Sequence, residues 1–449
     1  MTIGTLSEQE FAEKLNRYVS PAKPINTIEF LHGRAAPLRE IEKALYAGGR
    51  NIFIYGERGV GKSSLAQTAA VQYQSSDNDY ILIECGRSTT FLGTIASITD
   101  KAMEHPSRTI EKSHKTTLSA KIVSHEFMHK TTTHGERKSI DSMDKASDLM
   151  RDVAKLHSEK PIVVIDEFDV IEDCQEQALF SDFLKHLGDK NIKLKFIFSG
   201  VGSSLDDLLE AHLSSIRQLE TINLERLSWD ARWEITREAA NAFGTKISEE
   251  LLIRVAGISD GFPYYVHLIT EKLFWRLFED PNPCTEITIE NYYDAIGDAI
   301  QGISPHLRKS YDQVTKNRAL EYHHVLWAVA DAYDPQRTTA NVYKSYLRIM
   351  KAIDDKPLTR AAFMRRIYTL KRSNDPILEG VPKRTGWCQF SESMVRGFVR
   401  LIAEHHGISL EAETMDEPKM PTATVPRLSP RLTYRKPYVP PVHFGAGKK

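Results

Sequence analysis

Three short stretches hold residue types whose spacing could do chemistry. The first is GERGVGKSS, running Gly56, Glu57, Arg58, Gly59, Val60, Gly61, Lys62, Ser63 and Ser64. Glycines at these positions let a loop curl until successive backbone N–H groups face inward. The start of a following helix adds partial positive charge, so such a loop is suited to cradle phosphate. Lys62 supplies a compact cation for β- and γ-phosphates, and the Ser63 hydroxyl can coordinate Mg²⁺. The spacing is that of a P-loop (Walker A), and it needs a strand before it and a helix after it. The second stretch is PIVVIDEFD, where Asp166 and Glu167 follow directly on a buried apolar run. Asp166 is placed to meet the metal, and Glu167 to orient and deprotonate an attacking water, while Asp169 is read either as a helix cap or as a further catalytic group. The third is Ser199, which ends LKFIFS. It is read either as a polar group reaching the γ-phosphate or water, or as the opening of the GVGSS turn.

These residues need a sheet to hold them. NIFIYG, YILIEC (80–85), PIVVID (161–166), LKFIFS (194–199) and the weaker LETINL (219–224) are short apolar runs separated by helical stretches. Strands alternating with helices mean βαβ units and a parallel sheet. Leu38, Ile41 and Leu45 recur at helical spacing ahead of the first strand, and Gly48-Gly49 stops that helix. From Ser228 onward the pattern is helical only. A last block reads as three helices, a hairpin over ILEGVPKRTGWCQF with its turn at Pro382 and Gly386, and a closing helix, the order of a winged helix. The fold class expected is therefore α/β: a P-loop parallel sheet with a helical lid, followed by a helical, winged-helix C-terminal domain. The expected division is a helical arm over 1–27, an ATPase core over 28–225 with an insertion near 104–140, a lid over 226–302, a winged helix over 303–410 and a tail over 411–449. The insertion alternates at Leu118, Ala120 and Ile122 and reads as a β-hairpin. The tail, with seven prolines in 39 residues, reads as disordered.

Composition narrows the class. With 449 residues, 41% of them hydrophobic and 27% charged, the chain has the makeup of a soluble globular protein of two or three domains. Four cysteines stand singly, which argues against a disulfide framework or zinc knuckle and fits a reducing cytoplasm. No apolar run is long enough to span a membrane, and the acidic, amphipathic N-terminus is not a signal peptide. The net charge of -1 hides an asymmetry. Residues 1–304 hold 34 Lys/Arg against 46 Asp/Glu, whereas residues 305–402 hold 18 against 9. A basic C-terminal block raises the question of nucleic acid.

Together HGRAAPLREI, GERGVGKSS, VVIDEFD, FIFSG, the helical lid and the winged helix make the chain resemble AAA+ ATPases of the origin-recognition/initiator clade and the related STAND-type signalling ATPases. The resemblance spans about residues 28–400 and implies ATP and Mg²⁺ as cofactors. It makes Lys62 the phosphate lysine, Ser63 and Asp166 the magnesium ligands, Glu167 the base and Ser199 the sensor. The segment around Arg34 would line the adenine pocket, mainly through backbone. Arg217 falls where such proteins often carry an arginine finger for a neighbouring subunit, and is otherwise an exposed helix-end cation. In the lid, GFPYYVHLI places Tyr264 where initiators carry a γ-phosphate arginine. Gly261-Phe262-Pro263 is instead the STAND-type pattern, with Pro263 packing near the adenine. His267 reads as a satisfied core histidine.

In TRAAFMRRIYTLKRS, Phe363, Ile367 and Leu370 share one face, and Arg360, Arg365, Arg366, Lys371 and Arg372 occupy the rest. In a helix–turn–helix this helix would enter the major groove of double-stranded DNA, with Lys383 and Arg384 at the wing touching backbone. The competing reading is a protein-interaction or autoinhibitory module. The expected function is a nucleotide-driven switch, oligomeric and acting at DNA. The alternative is a STAND-like signalling or defence ATPase. Five histidines (His105, His114, His125, His129 and His134) crowd the insertion and read as polar loop or partner contact rather than a metal site, the spacing of His125, Glu126 and His129 being taken as one short of H-E-x-x-H and so as excluding a metalloprotease.

Overall fold

The computed structural model describes residues 3, 6–74, 78–104, 142–203, 205, 218–281, 285–316, 319–373 and 375–410. The expected hairpin of the insertion, Arg217 and the tail all lie outside them.

The chain opens on helix α1 (Glu8–Tyr18), started by a capping box in which the Ser7 hydroxyl accepts from the Glu10 N–H and the Glu10 carboxylate accepts from the Ser7 N–H. Helix α2 (Ala35–Tyr46) precedes the sheet. Then follow β1 (Asn51–Tyr55), α3 (Lys62–Tyr73), β2 (Ile81–Glu84), α4 (Phe91–Glu104), α5 (Met143–His157), β3 (Ile162–Asp166), α6 (Cys174–Asp189), β4 (Lys195–Gly200) and β5 (Leu219–Asn223). All five strands are parallel, in the order β2-β3-β4-β1-β5. Each run expected to be a strand is one, to within a residue or two at its ends.

The sheet is buried on both faces, so its strands read as unbroken apolar runs. The period-two alternation still sorts them. Phe53, Val163, Ile165, Phe196 and Phe198 share one core with Phe168, Phe180 and Phe183 from the flanking segments. Ile52, Ile54, Ile162, Val164 and Ile197 point into the other core. This second core runs on without a break into the helices that follow: α7 (Trp229–Phe243), α8 (Glu249–Ile258), α9 (Pro263–Glu279) and α10 (Ile289–Gly302). The N-terminal helix belongs to it as well. Phe11 is fully buried, stacked on Phe278 at 4.3 Å between ring centroids and edge-on to Trp275 at 4.9 Å. Phe11→Ala is expected to lower stability by about 3–5 kcal/mol through the cavity it leaves, read as a lower urea midpoint of tryptophan fluorescence.

The C-terminal block comprises α11 (Pro305–Thr315), α12 (Glu321–Ala330), β6 (Arg337–Thr338), α13 (Thr339–Ala352), α14 (Arg360–Lys371), β7 (Leu378–Glu379), β8 (Trp387–Phe390) and α15 (Ser393–His405). The strands form a small antiparallel sheet in the order β6-β8-β7, and β7 and β8 are the hairpin expected over 377–390. Gly386, at φ +79°, sits in its connection. Among the described residues no helix is long and apolar enough to cross a membrane.

Candidate functional site

The register brings the chemistry to one edge of the sheet. Ile54 pairs with Ser199 and Tyr55 with Gly200, while Glu84 pairs with Asp166, so the strand ends carrying Gly56, Asp166 and Ser199 lie side by side. Carboxyl ends of parallel strands are where α/β sheets bind ligands.

Between β1 and α3 the P-loop turns through Gly56, Gly59 and Gly61, at φ +153°, +83° and +96°. A side chain on Gly56 would come within 2.3 Å of the Leu224 carbonyl oxygen, so only glycine lets the loop lie against β5. The Lys62 ammonium donates to the carbonyls of Gly56 at 3.1 Å and Glu57 at 3.0 Å, folded back over the loop. Burial pulls its pKa below the ordinary lysine value, against the opposing pull of Asp169 and Asp166.

Asp166 is the hub. Its Oδ1 accepts from the Ser63 hydroxyl at 3.0 Å, from the Ser199 hydroxyl and from the Glu167 N–H at 3.1 Å. The Glu167 N–H also lies 3.3 Å from Ser199 Oγ. Asp166 and Ser199 are buried, whereas Glu167 is exposed and held left-handed at φ +55°. A non-glycine residue in that conformation is uncommon and belongs to sites that over-determine it. Asp169 lies in the single 3₁₀ turn Phe168–Val170 and lines the same cleft.

A cleft of about 300 Å³ connects these groups to an apolar chamber. Its lining combines the polar groups of Arg58 to Ser64, Asp166, Glu167, Asp169 and Ser199 with the apolar side chains of Ile25, Phe30, Leu31, Leu227, Ile235 and Pro263. Pro263 is the first residue of α9, and its ring meets Gly61 at 3.7 Å from where a side chain would begin. Arg34 reaches the P-loop through its side chain. The buried guanidinium donates to the Val60 carbonyl at 2.8 Å, and burial draws its pKa down to about 10 despite Glu225 nearby. His267 is buried, accepts from the Ser20 N–H on Nδ1 at 3.3 Å and is pulled to about 4 by desolvation. It is therefore neutral, and it also lines the cleft. Tyr264 lines the cleft too, while its hydroxyl accepts from the Ser304 N–H at 3.2 Å.

Sequence reasoning missed the strap over Ser20–Ile25. Its Ile25 N–H donates to the Ser64 hydroxyl at 3.0 Å, and its Ile25 carbonyl accepts from Thr68 at 3.1 Å. Pro21 and Pro24 were its only signal, because an irregular strap has no hydrophobic period. Also missed was α15 at the P-loop: a side chain on Gly59 would meet the Met394 sulfur at 2.4 Å, and the Tyr265 hydroxyl donates to the Met394 carbonyl at 2.6 Å. From the P-loop itself, Glu57 is held by Arg226 at 2.8 Å.

On the C-terminal block, Arg360 and Arg365 on α14, its C-cap residue Arg372, and Lys383 and Arg384 on the β7–β8 connection are exposed. Arg366 instead pairs with Glu321 at 2.8 Å, and Lys371 donates to the Trp387 carbonyl at 2.9 Å, so both are committed within the block. One reading of the insertion needs correcting. His125, Glu126 and His129 stand in full H-E-x-x-H register, so spacing does not by itself set that segment apart from a metal site. These residues lie outside the described part.

Comparison with curated proteins gives no match. Among solved structures, the Walker-type ATPase PABY2304 of Pyrococcus abyssi aligns over 84% of this chain and 99% of its own, at 14% identity and a TM-score of 0.49. Cdc6p from Pyrobaculum aerophilum aligns over 87% and 97% at 14% and 0.43. The RuvB Holliday junction branch migration motor of Thermotoga maritima aligns over 86% and 98% at 12% and 0.42. A family model described as an ATPase domain predominantly from Archaea matches residues 31–269, more than half of the chain, including the P-loop, Asp166, Glu167 and Ser199. The chain belongs to this family of ATPase domains.

Proposed function

We propose that the chain binds ATP with Mg²⁺ in this cleft, hydrolyses it, and uses occupancy to reposition the lid and C-terminal block. The observation that carries the reading is the convergence of Ser63, Ser199 and the Glu167 N–H on one oxygen of Asp166, beside a loop that only glycine can form. The donor set fits the cofactor. Ser63 and Asp166 are two hard oxygen ligands already 3.0 Å apart, and Mg²⁺ takes few protein ligands beside phosphate and water. When bound, the ion neutralises charge developing on the phosphates. The residues do the rest. Lys62 exchanges its two carbonyl partners for phosphate oxygens, and the backbone of Gly56 to Ser64 cradles the phosphates. The cleft beside Pro263 and Ile235 takes the base, with Arg34 fixing the loop at Val60. Glu167 takes a proton from the attacking water, Ser199 reports on the γ-phosphate, and Arg217 serves a neighbouring subunit in an oligomer. Phosphate release by the purified chain, with and without duplex DNA, tests the proposal; no turnover under either condition refutes hydrolysis.

The exposed cations of α14 and the hairpin, in a block ordered as a winged helix, favour double-stranded DNA as a partner. Arg360→Ala, Arg365→Ala and Arg372→Ala together are expected to weaken duplex binding at least about tenfold and to reduce the slope of log K against log salt by about 3. Binding by fluorescence anisotropy across a salt series checks this. Unchanged affinity and slope would remove α14 from the interface.

A second reading is also favoured by a specific observation. Met394 packs on Gly59 of the P-loop, so the C-terminal block touches the phosphate site itself. That contact suits a STAND-like switch in which the block restrains the nucleotide site until a trigger or partner protein releases it. Slow turnover indifferent to DNA, with nucleotide co-purifying, would favour this reading.

A further inference from the structure

Apart from the nucleotide cleft, a second cavity of about 220 Å³ is lined by Glu57, Arg226, Gln336, Gln389, Ser393 and Arg396, among others. It is smaller than the pockets that hold drug-sized ligands. Its walls come from the P-loop, the segment between β5 and α7, strand β8 and the first turns of α15.

Arg396 is 1% exposed. Its Nη2 donates to the carbonyls of Ala332 and Tyr333, whereas Nε and Nη1 have no hydrogen-bond partner, Nη1 lying 3.5 Å from Asp260 Oδ2. Arg226 donates through Nε to Glu57 at 2.8 Å and through Nη1 to Asp260 at 3.0 Å, and its buried Nη2 also lacks a partner. Buried guanidinium N–H groups without acceptors are costly, and structures rarely leave them so. Burial draws the Arg396 pKa down to about 10; Asp260 opposes this, while Arg400, Arg226 and Arg337 add to it. Helix α15 starts at the same cavity. Its cap residue Glu392 makes no capping hydrogen bond, its carboxylate meeting His306 at 3.2 Å instead. The partial positive end of a thirteen-residue helix therefore faces the same space as the orphaned donors.

We propose that this cavity binds a small oxyanion of the phosphate class, held by Arg396, the free nitrogen of Arg226 and the N-terminus of α15. Arg226 ties Glu57 of the P-loop to Asp260 of the lid, and Arg396 brings in the C-terminal block. An anion there fastens all three together and so stabilises this arrangement of the chain.

Inorganic phosphate is the probe. Full-length Lys62→Ala serves as the background, so that phosphate at the P-loop does not contribute and failure of the nucleotide reading is scored separately. Phosphate, titrated against chloride at matched ionic strength, is expected to raise the Tm by about 2–4 °C and to saturate. Ser393→Glu places a carboxylate at the helix start, and it is expected to raise the Tm without phosphate and abolish the response. Arg396→Gln is expected to abolish the response as well; should it not fold, Ser393→Glu alone decides. A Tm indifferent to phosphate, or an equal response in Ser393→Glu, overturns the site.

Discussion

Lys62→Ala is expected to abolish turnover and to weaken ATP binding by about 100-fold or more. The ammonium is half-buried and folded over the loop, donating to the Gly56 and Glu57 carbonyls, within reach of where phosphate oxygens would lie. A charge-assisted hydrogen bond contributes about 1.5–3 kcal/mol, and two of them to phosphate exceed a hundredfold in affinity. Asp166, Glu167 and Asp169 surround this position. Removing the cation therefore leaves the phosphates facing these carboxylates with Arg58 as the remaining cation of the loop. Titration with a fluorescent ATP analogue reads the loss directly. Retention of wild-type affinity would mean that the loop is a structural turn and that nucleotide, if bound, sits elsewhere.

Glu167→Gln is expected to separate binding from chemistry. Loss of a general base lowers turnover by about 10²–10⁴-fold. The amide is nearly isosteric, and the backbone N–H of residue 167, which fixes Asp166 and Ser199, stays in place. ATP affinity should therefore stay within about threefold of the parent. The left-handed backbone at this residue tolerates the exchange as well as any non-glycine would. Single-turnover phosphate release beside equilibrium binding separates the two outcomes. A mutant that still hydrolyses at the parental rate would move the base to another group of the cleft, with Asp169, which lines it too, as the candidate. A mutant that no longer binds would mean that Glu167 is part of the metal site.

Legibility in the sequence follows how local each signal is. The P-loop was legible because its chemistry, its conformational demand and its flanking strand and helix all lie within about twenty consecutive residues. The acidic pair was legible because a buried parallel strand is apolar on both faces, so charge marks its end. The helices of the lid and C-terminal block were legible through their period of 3.6 residues, as in the buried Phe363, Ile367 and Leu370 of α14. The Ser20–Ile25 strap had no such period. The commitments of Arg366 to Glu321 and of Lys371 to the Trp387 carbonyl were equally hidden, since a basic helix looks the same in sequence whether its cations are free or paired.

By itself, then, the sequence determined the kind of site: a glycine loop with lysine and serine, two acids ending one strand and a serine ending another. Residue type, conformational freedom and short-range periodicity dictate those features, and all are written along the chain. The tertiary structure alone decided which neighbours those residues have. Strand order brought Ser199 beside Asp166 from 33 positions away. Chain closure set Met394 against Gly59, and Arg226 and Arg396 around Asp260. Contacts between residues hundreds of positions apart depend on packing two cores at once, and no local pattern encodes them.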